Sequence, residues 1–167
     1  RSDTSTVSWQ IYVMNADGTN QTNISKNSED IYWYPAWSPD GEKIVFTSVN
    51  DRYGGVNTIL VMNADGTNLT RLTDYDYQNQ HPSWSPDGTK IAFSSNRNYT
   101  GRQIYTMNPD GTNVAILDDN FTHLSRYHKD TKPKWSPDGT KVVYEHKSDA
   151  DAKSQIFVTT TTVLTAD

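Results

Sequence analysis

Cysteine is absent from all 167 residues. Its absence excludes disulfides, thiolate metal sites and a cysteine nucleophile, and leaves the compartment open. No apolar run approaches the roughly 20 residues a membrane-spanning helix requires, so no membrane insertion is expected. Clusters of Lys and Arg are also missing, and the formal net charge is -5. The electrostatic footprint of a nucleic-acid binder is therefore lacking. Neither a Gly-x-Ser-x-Gly nucleophile elbow nor a phosphate-binding loop occurs. Glutamate is found only at Glu29, Glu42 and Glu145, which leaves no obvious carboxylate pair for glycoside chemistry. Hydrophobic residues make up only 34% of the chain, but five Trp and ten Tyr argue against disorder, because disordered chains lack large groups to bury. Short strands with aromatic anchors and polar turns would give this balance. The chain opens Arg1-Ser2-Asp3, with no Met and no leader pattern, and is expected to be a processed product or a fragment.

What is present is repetition. Trp-Ser-Pro-Asp-Gly occurs at Trp37–Gly41, Trp84–Gly88 and Trp135–Gly139, with starts 47 and 51 residues apart. Each copy runs into an apolar stretch: Lys43-Ile44-Val45-Phe46, Lys90-Ile91-Ala92-Phe93 and Lys141-Val142-Val143-Tyr144. A second motif interleaves with the first. Ile11–Asn15, Ile59–Asn63 and Ile104–Asn108 precede Asp-Gly-Thr-Asn at Asp17, Asp65 and Asp110. Two coupled motifs at this period signal a repeat architecture in the range of propeller blades.

Residues 30–73 read as one four-stranded antiparallel unit. Pro35-Ala36-Trp37 is a first strand, Ser38-Pro39-Asp40-Gly41 a turn, and Lys43–Ser48 a second strand. A polar loop from Val49 to Asn57 leads to a third strand at Thr58–Asn63, then the Asp65-Gly66 turn and a fourth strand at Asn68–Thr73. The third strand is apolar at consecutive positions, as expected of a sheet covered on both faces. The same template fits 78–118 and 129–165. In the last unit Thr159–Thr162 replace Asp-Gly. A half unit at 10–26 supplies only third and fourth strands. The expected fold is all-β, with about three and a half blades of a propeller in a single segment.

The paired motifs resemble the TolB-type branch of WD40-like β-propellers, which is marked by a Pro-x-Trp-Ser-Pro-Asp-Gly and an Ile-Tyr-x-Met-Asn-x-Asp-Gly strand-turn in each blade. The resemblance covers roughly residues 10–165. It implies a propeller of six to eight blades and a periplasmic, secreted or cell-surface location. It does not imply a single activity. The fold serves as a docking module in the Tol system, as an accessory domain in prolyl-oligopeptidase-like peptidases and as a catalytic scaffold in oligogalacturonate lyases. The chain departs from the family in blade number, since an open end exposes a sheet edge and a blade face. Completion by another chain, by another copy of itself or by further sequence is therefore expected.

Three sets of residues are candidates for chemistry. The Asn15-Ala16-Asp17-Gly18-Thr19-Asn20 type of loop has oxygen side chains at alternate positions, as calcium loops do. No bidentate Glu follows, and Asp-Gly is the expected hairpin dipeptide, so the turn reading is preferred and no cofactor is expected. The second set is histidine. His81 should lie near the channel, at the position held by Tyr34 and Lys132 in the other units, and is a candidate metal ligand. His123, His128 and His146 read as polar loop or strand-end residues. The third set lies in segments leading into the first strands: Tyr32-Trp33-Tyr34, Tyr75 and Tyr77 up to His81, and Phe121–Lys132 with Arg126, Tyr127 and His128. Treated as loops, these should gather at the channel mouth, where large rigid side chains and hydrogen-bonding groups suit recognition. The leading expectation is a non-catalytic binding or scaffold module for a protein or glycan. The alternatives are a metal-dependent polysaccharide lyase using His81 and an accessory propeller of a larger peptidase or surface protein.

Overall fold

The computed structural model describes residues 9–26, 30–50, 54–98, 101–117, 128–147 and 154–161, and these contain strands and turns but no helix. Strands β1 (Tyr12–Val13) and β2 (Thr22–Asn23) form a two-stranded ribbon. A four-stranded antiparallel sheet follows, in the order β3 (Ile31–Trp37), β4 (Lys43–Asn50), β5 (Val56–Asn63), β6 (Thr70–Arg71). Strands β7 (Asn79–Trp84), β8 (Ile91–Ser95), β9 (Gly101–Met107) and β10 (Ala115–Ile116) repeat that order. The third unit comprises β11 (His128–Trp135), β12 (Lys141–Lys147) and β13 (Gln155–Thr160). The molecule is thus a partial β-propeller with a half blade, two complete blades and a third blade described through three strands. One pairing was not foreseen. β11 runs parallel to β9 at His128↔Gly101 and Lys129↔Arg102, which joins the last two blades edge to edge.

The repeated motifs build the same turns each time. Asp17, Asp65 and Asp110 each accept the backbone N–H of the Thr two residues on, at 2.9, 2.9 and 3.0 Å, and each also accepts that Thr's hydroxyl. In the Trp-Ser-Pro-Asp-Gly turns the Ser hydroxyl is the hub. Ser38, Ser85 and Ser136 each accept the N–H of the following lysine at 2.9 Å and donate to the turn aspartate. Such local bonds hold the turn against competing conformations.

The cores lie between blades. Ile11 and Ile24 of the half blade pack with Tyr32, Ile44, Phe46, Leu60 and Met62 of the next. Val45, Ile59, Val61 and Leu72 pack with Trp84, Ile91, Phe93, Tyr105 and Met107 of the one after. β5 is buried along nearly its whole length, which accounts for its unbroken apolar run. The outermost blade has no such cover, and Ile156 and Val158 on β13 are 67% and 62% exposed.

Some expected boundaries shift. The first strands begin earlier, at Ile31 and Asn79, so Tyr32-Trp33-Tyr34, His81 and Lys132 lie within strands rather than connecting loops. The fourth strand expected over Asn68–Thr73 is regular only at Thr70–Arg71, although Leu72 N–H still donates to the Ile59 carbonyl at 2.8 Å. The tryptophans also differ. Trp84 is 8% exposed against the preceding blade, whereas Trp37 is 52% exposed because, among the described residues, only β1 and β2 precede its blade.

Candidate functional site

Each first strand contains the same irregularity. The pairing register shifts between Trp33 and Ala36, between Gln80 and Ser83, and between Thr131 and Lys134. At each shift one residue adopts a left-handed backbone: Tyr34 (φ 55°), His81 (φ 56°) and Lys132 (φ 57°). Proline follows all three. A β-bulge re-aims the side chain it carries, and a left-handed non-glycine residue costs about 1–2 kcal/mol. A second set of left-handed residues makes the contrast. Asn20, Asn68 and Asn113, in the Asp-Gly-Thr-Asn turns, are all asparagine, the side chain that tolerates this backbone. Histidine is also found in this region more often than most residues, but Tyr and Lys are not, so at Tyr34 and Lys132 backbone preference did not choose the side chain.

The bulges bring their side chains together. The rings of Tyr34 and His81 lie 4.2 Å apart between centroids, and Trp33 stands edge-on to Tyr34 at 6.2 Å. The His81 backbone N–H donates to the Thr47 hydroxyl of the preceding blade at 3.2 Å. Its Nδ1 is buried without a hydrogen-bond partner. Burial, aided by the positive charges of Arg102 and Lys132, pulls the His81 pKa down to about 4, so the ring is neutral at pH 7. Arg102 donates to Gln80 Oε1 at 2.8 Å, and Lys132 Nζ pairs with Glu145 at 3.0 Å. Lys134 adds a further cation that opposes protonation of His81. Three cations and one carboxylate therefore surround a neutral imidazole in a chain whose net charge is negative.

The other nominated residues divide. Tyr32 is 3% exposed and packs edge-on against Phe46 at 5.2 Å, so it belongs to the core and not to a recognition face. Tyr75 lies under the Arg71 guanidinium at 4.3 Å, and Tyr77 under that of Arg97 at 5.5 Å. Both are half-buried in cation–π contacts that hold the connection between blades. Arg126, Tyr127 and His123 lie outside the described residues, and of His128 only the strand backbone is described. His146 is not a polar strand end. Its Nδ1 lies 2.6 Å from Asp130 Oδ1 in a buried pair, with Phe157 edge-on at 4.8 Å. Among the described residues no three His, Cys, Asp or Glu side chains gather to hold a metal ion, and none joins His81 in such a set. Residue-by-residue reading missed Arg102, Lys134 and Glu145, which reach the site from β9, β11 and β12. Only strand register places them there, and the one sequence signal was the Lys132-Pro133-Lys134 spacing.

Comparison with known proteins agrees with this fold. The family profile of the TolB beta propeller domain matches residues 10–120. A putative TolB from Agrobacterium tumefaciens is 26% identical with a TM-score of 0.77, over 94% of this chain and 55% of that one. TolB from Acinetobacter baumannii is 21% identical with a TM-score of 0.72, over 92% of this chain and 36% of that one. An oligogalacturonate lyase in complex with manganese aligns at 14% identity and a TM-score of 0.68, over 91% of this chain and 45% of that one. The chain thus spans about half, or less, of the length of these relatives. No curated protein matches it.

Proposed function

Since the chain belongs to the TolB β-propeller family, we propose that it is a non-catalytic binding module whose inner strands hold an acidic group of a protein or glycan partner. The observation that carries this reading is the threefold left-handed bulge at Tyr34, His81 and Lys132. The chain accepts strain at the same point of three blades and places a different polar side chain on each. Backbone strain retained in this way is a mark of functional positions. Arg102, Lys132 and Lys134 supply positive charge, Tyr34 offers an exposed ring, and neutral His81 offers an unsatisfied nitrogen. Such a surface suits a carboxylate held beside an apolar or sugar face. The module would act in the periplasm or outside the cell.

Calorimetric titration tests the reading with two acidic probes, an oligoglutamate peptide and an oligogalacturonate, against neutral counterparts. At least one acidic probe should bind, and its affinity should fall tenfold or more in Arg102→Met and Lys132→Met, about 1.4 kcal/mol. Equal binding of acidic and neutral probes, or no loss in either variant, would sink it. Unsaturated sugar products appearing with added manganese would instead identify a lyase.

A further inference from the structure

The register beside each bulge carries a second regularity. The residue just before the left-handed position faces the second strand, as Trp33↔Thr47, Gln80↔Ser94 and Thr131↔Glu145. In the two complete blades that partner is a buried hydroxyl, and it reaches across to the first strand of the next blade. Thr47 Oγ1 accepts the His81 N–H at 3.2 Å, and Ser94 Oγ donates to the Asp130 carbonyl at 2.7 Å. In the third blade the position holds a carboxylate. Glu145 turns to the bulge residue of its own blade, with Oε1 3.0 Å from Lys132 Nζ. The two changes go together. Aromatic side chains occupy the bulge in the blades with hydroxyls, and a lysine occupies it in the blade with the acid. Both partners lie within one blade, so the contact needs no other blade to form.

This pair differs in kind from its neighbour on the same two strands. Asp130 and His146 also meet across β11 and β12, but they are buried, and removing either would strand a polar group away from water. Lys132 and Glu145 are both open to solvent. Water competes for the two groups of such a pair and salt screens them, so it adds little net stability. It can therefore exchange partners at small cost. Among the described residues Lys132 is also the one cation of the three around His81 that has a carboxylate partner. Arg102 is held by the neutral amide of Gln80, and Lys134 forms no ion pair.

We propose that Glu145 is the resident carboxylate of the inner face, holding Lys132 in the ligand-free protein and yielding it to the acidic group of a ligand. The inference rests on the acidic-group reading above and adds the residue that sets how tightly acids bind. Arg102 and Lys134 draw an acid to the face by their charge. To engage Lys132, the acid must bring a carboxylate that pairs with it better than Glu145 does. A neutral ligand leaves the pair standing and gains nothing from its removal. Glu145 is thus a specificity-determining residue that acts through Lys132.

Calorimetric titration of four proteins tests the exchange: the unmodified chain, Glu145→Gln, Lys132→Met and the double variant. The probes are the oligoglutamate peptide, the oligogalacturonate and their neutral counterparts. Glu145→Gln should bind an acidic probe about threefold to fivefold more tightly and the neutral counterparts as before. That gain should largely vanish when Lys132→Met is also present. A gain as large without the lysine would show that Glu145 acts by charge alone, and would overturn the exchange. If the unmodified chain binds acid and Glu145→Gln gains nothing, this inference falls and the acid-binding reading stands. If only Glu145→Gln binds acid, the exchange stands and the acid-binding reading of the unmodified face falls. Acid binding by none of the four overturns both. Glutamine keeps the shape of an exposed side chain, and equal urea midpoints for Glu145→Gln and the unmodified chain check that the fold is intact.

Discussion

At a bulge the backbone decides where a side chain points, and Tyr34 and Lys132 meet that demand with residues unsuited to it, His81 with one that tolerates it better. Lys132→Gly removes the left-handed penalty and an exposed ion pair of small worth. The unfolding free energy of this variant from urea denaturation should be unchanged or should rise by up to about 1 kcal/mol, while acidic probes bind at least tenfold more weakly. Loss of stability without loss of binding would mark the lysine as structural. His81 gives a prediction in pH. An unfolded histidine protonates near 6.5, whereas His81 resists until about 4. Between those values the unfolded chain carries more protons, so stability declines as pH falls from about 6.5 and the loss is complete below about 4. His81→Gln should flatten that limb in denaturation midpoints measured from neutral pH down to about 4.5. The turn aspartates act in a separate, lower window. Hydrogen bonds from Ser136 and Thr140 hold Asp138 at about 2, so its contribution is lost only as pH falls from the ordinary 3.8 towards 2.

At the scale of strands and turns the sequence was most informative, because proline, Asp-Gly and apolar runs each act over a few residues. The turns at Asp65 and Asp110 close through the Asp–Thr bonds that the motif dictates. What it concealed depends on register between distant strands. Asp130 and His146 are 16 residues apart and become a buried pair only because β11 and β12 place them opposite one another. Arg102 reaches the site through the parallel pairing of β9 with β11, which no local pattern encodes. The left-handed bulges were hidden for another reason, since neither tyrosine nor lysine advertises that conformation. Three predictions belong here. Gly66→Ala meets both a positive φ of 82° and the Ile24 carbonyl, so it should cost more than 2 kcal/mol by urea denaturation. Gly139→Ala, with only Pro86 nearby at 3.8 Å, should cost about 1 kcal/mol. Asp130→Ala leaves a buried imidazole nitrogen without its partner and should cost about 1–3 kcal/mol.

At the scale of the molecule, a propeller is a set of blades whose cores lie between neighbours, so an end blade lacks half its packing. Here one end exposes Trp37, Tyr12 and Met14 and the other exposes Ile156 and Val158. Tyr34, His81 and Lys132 recur at the same point of three successive blades, so the repeat itself builds the proposed binding face. Calorimetric titration of the chain with an oligoglutamate peptide and an oligogalacturonate, each against its neutral counterpart, tests that face most directly. The account predicts that at least one acidic probe binds more tightly than its neutral counterpart and that Arg102→Met and Lys132→Met each weaken it tenfold or more. Equal binding of acidic and neutral probes, or no loss in either variant, would contradict it.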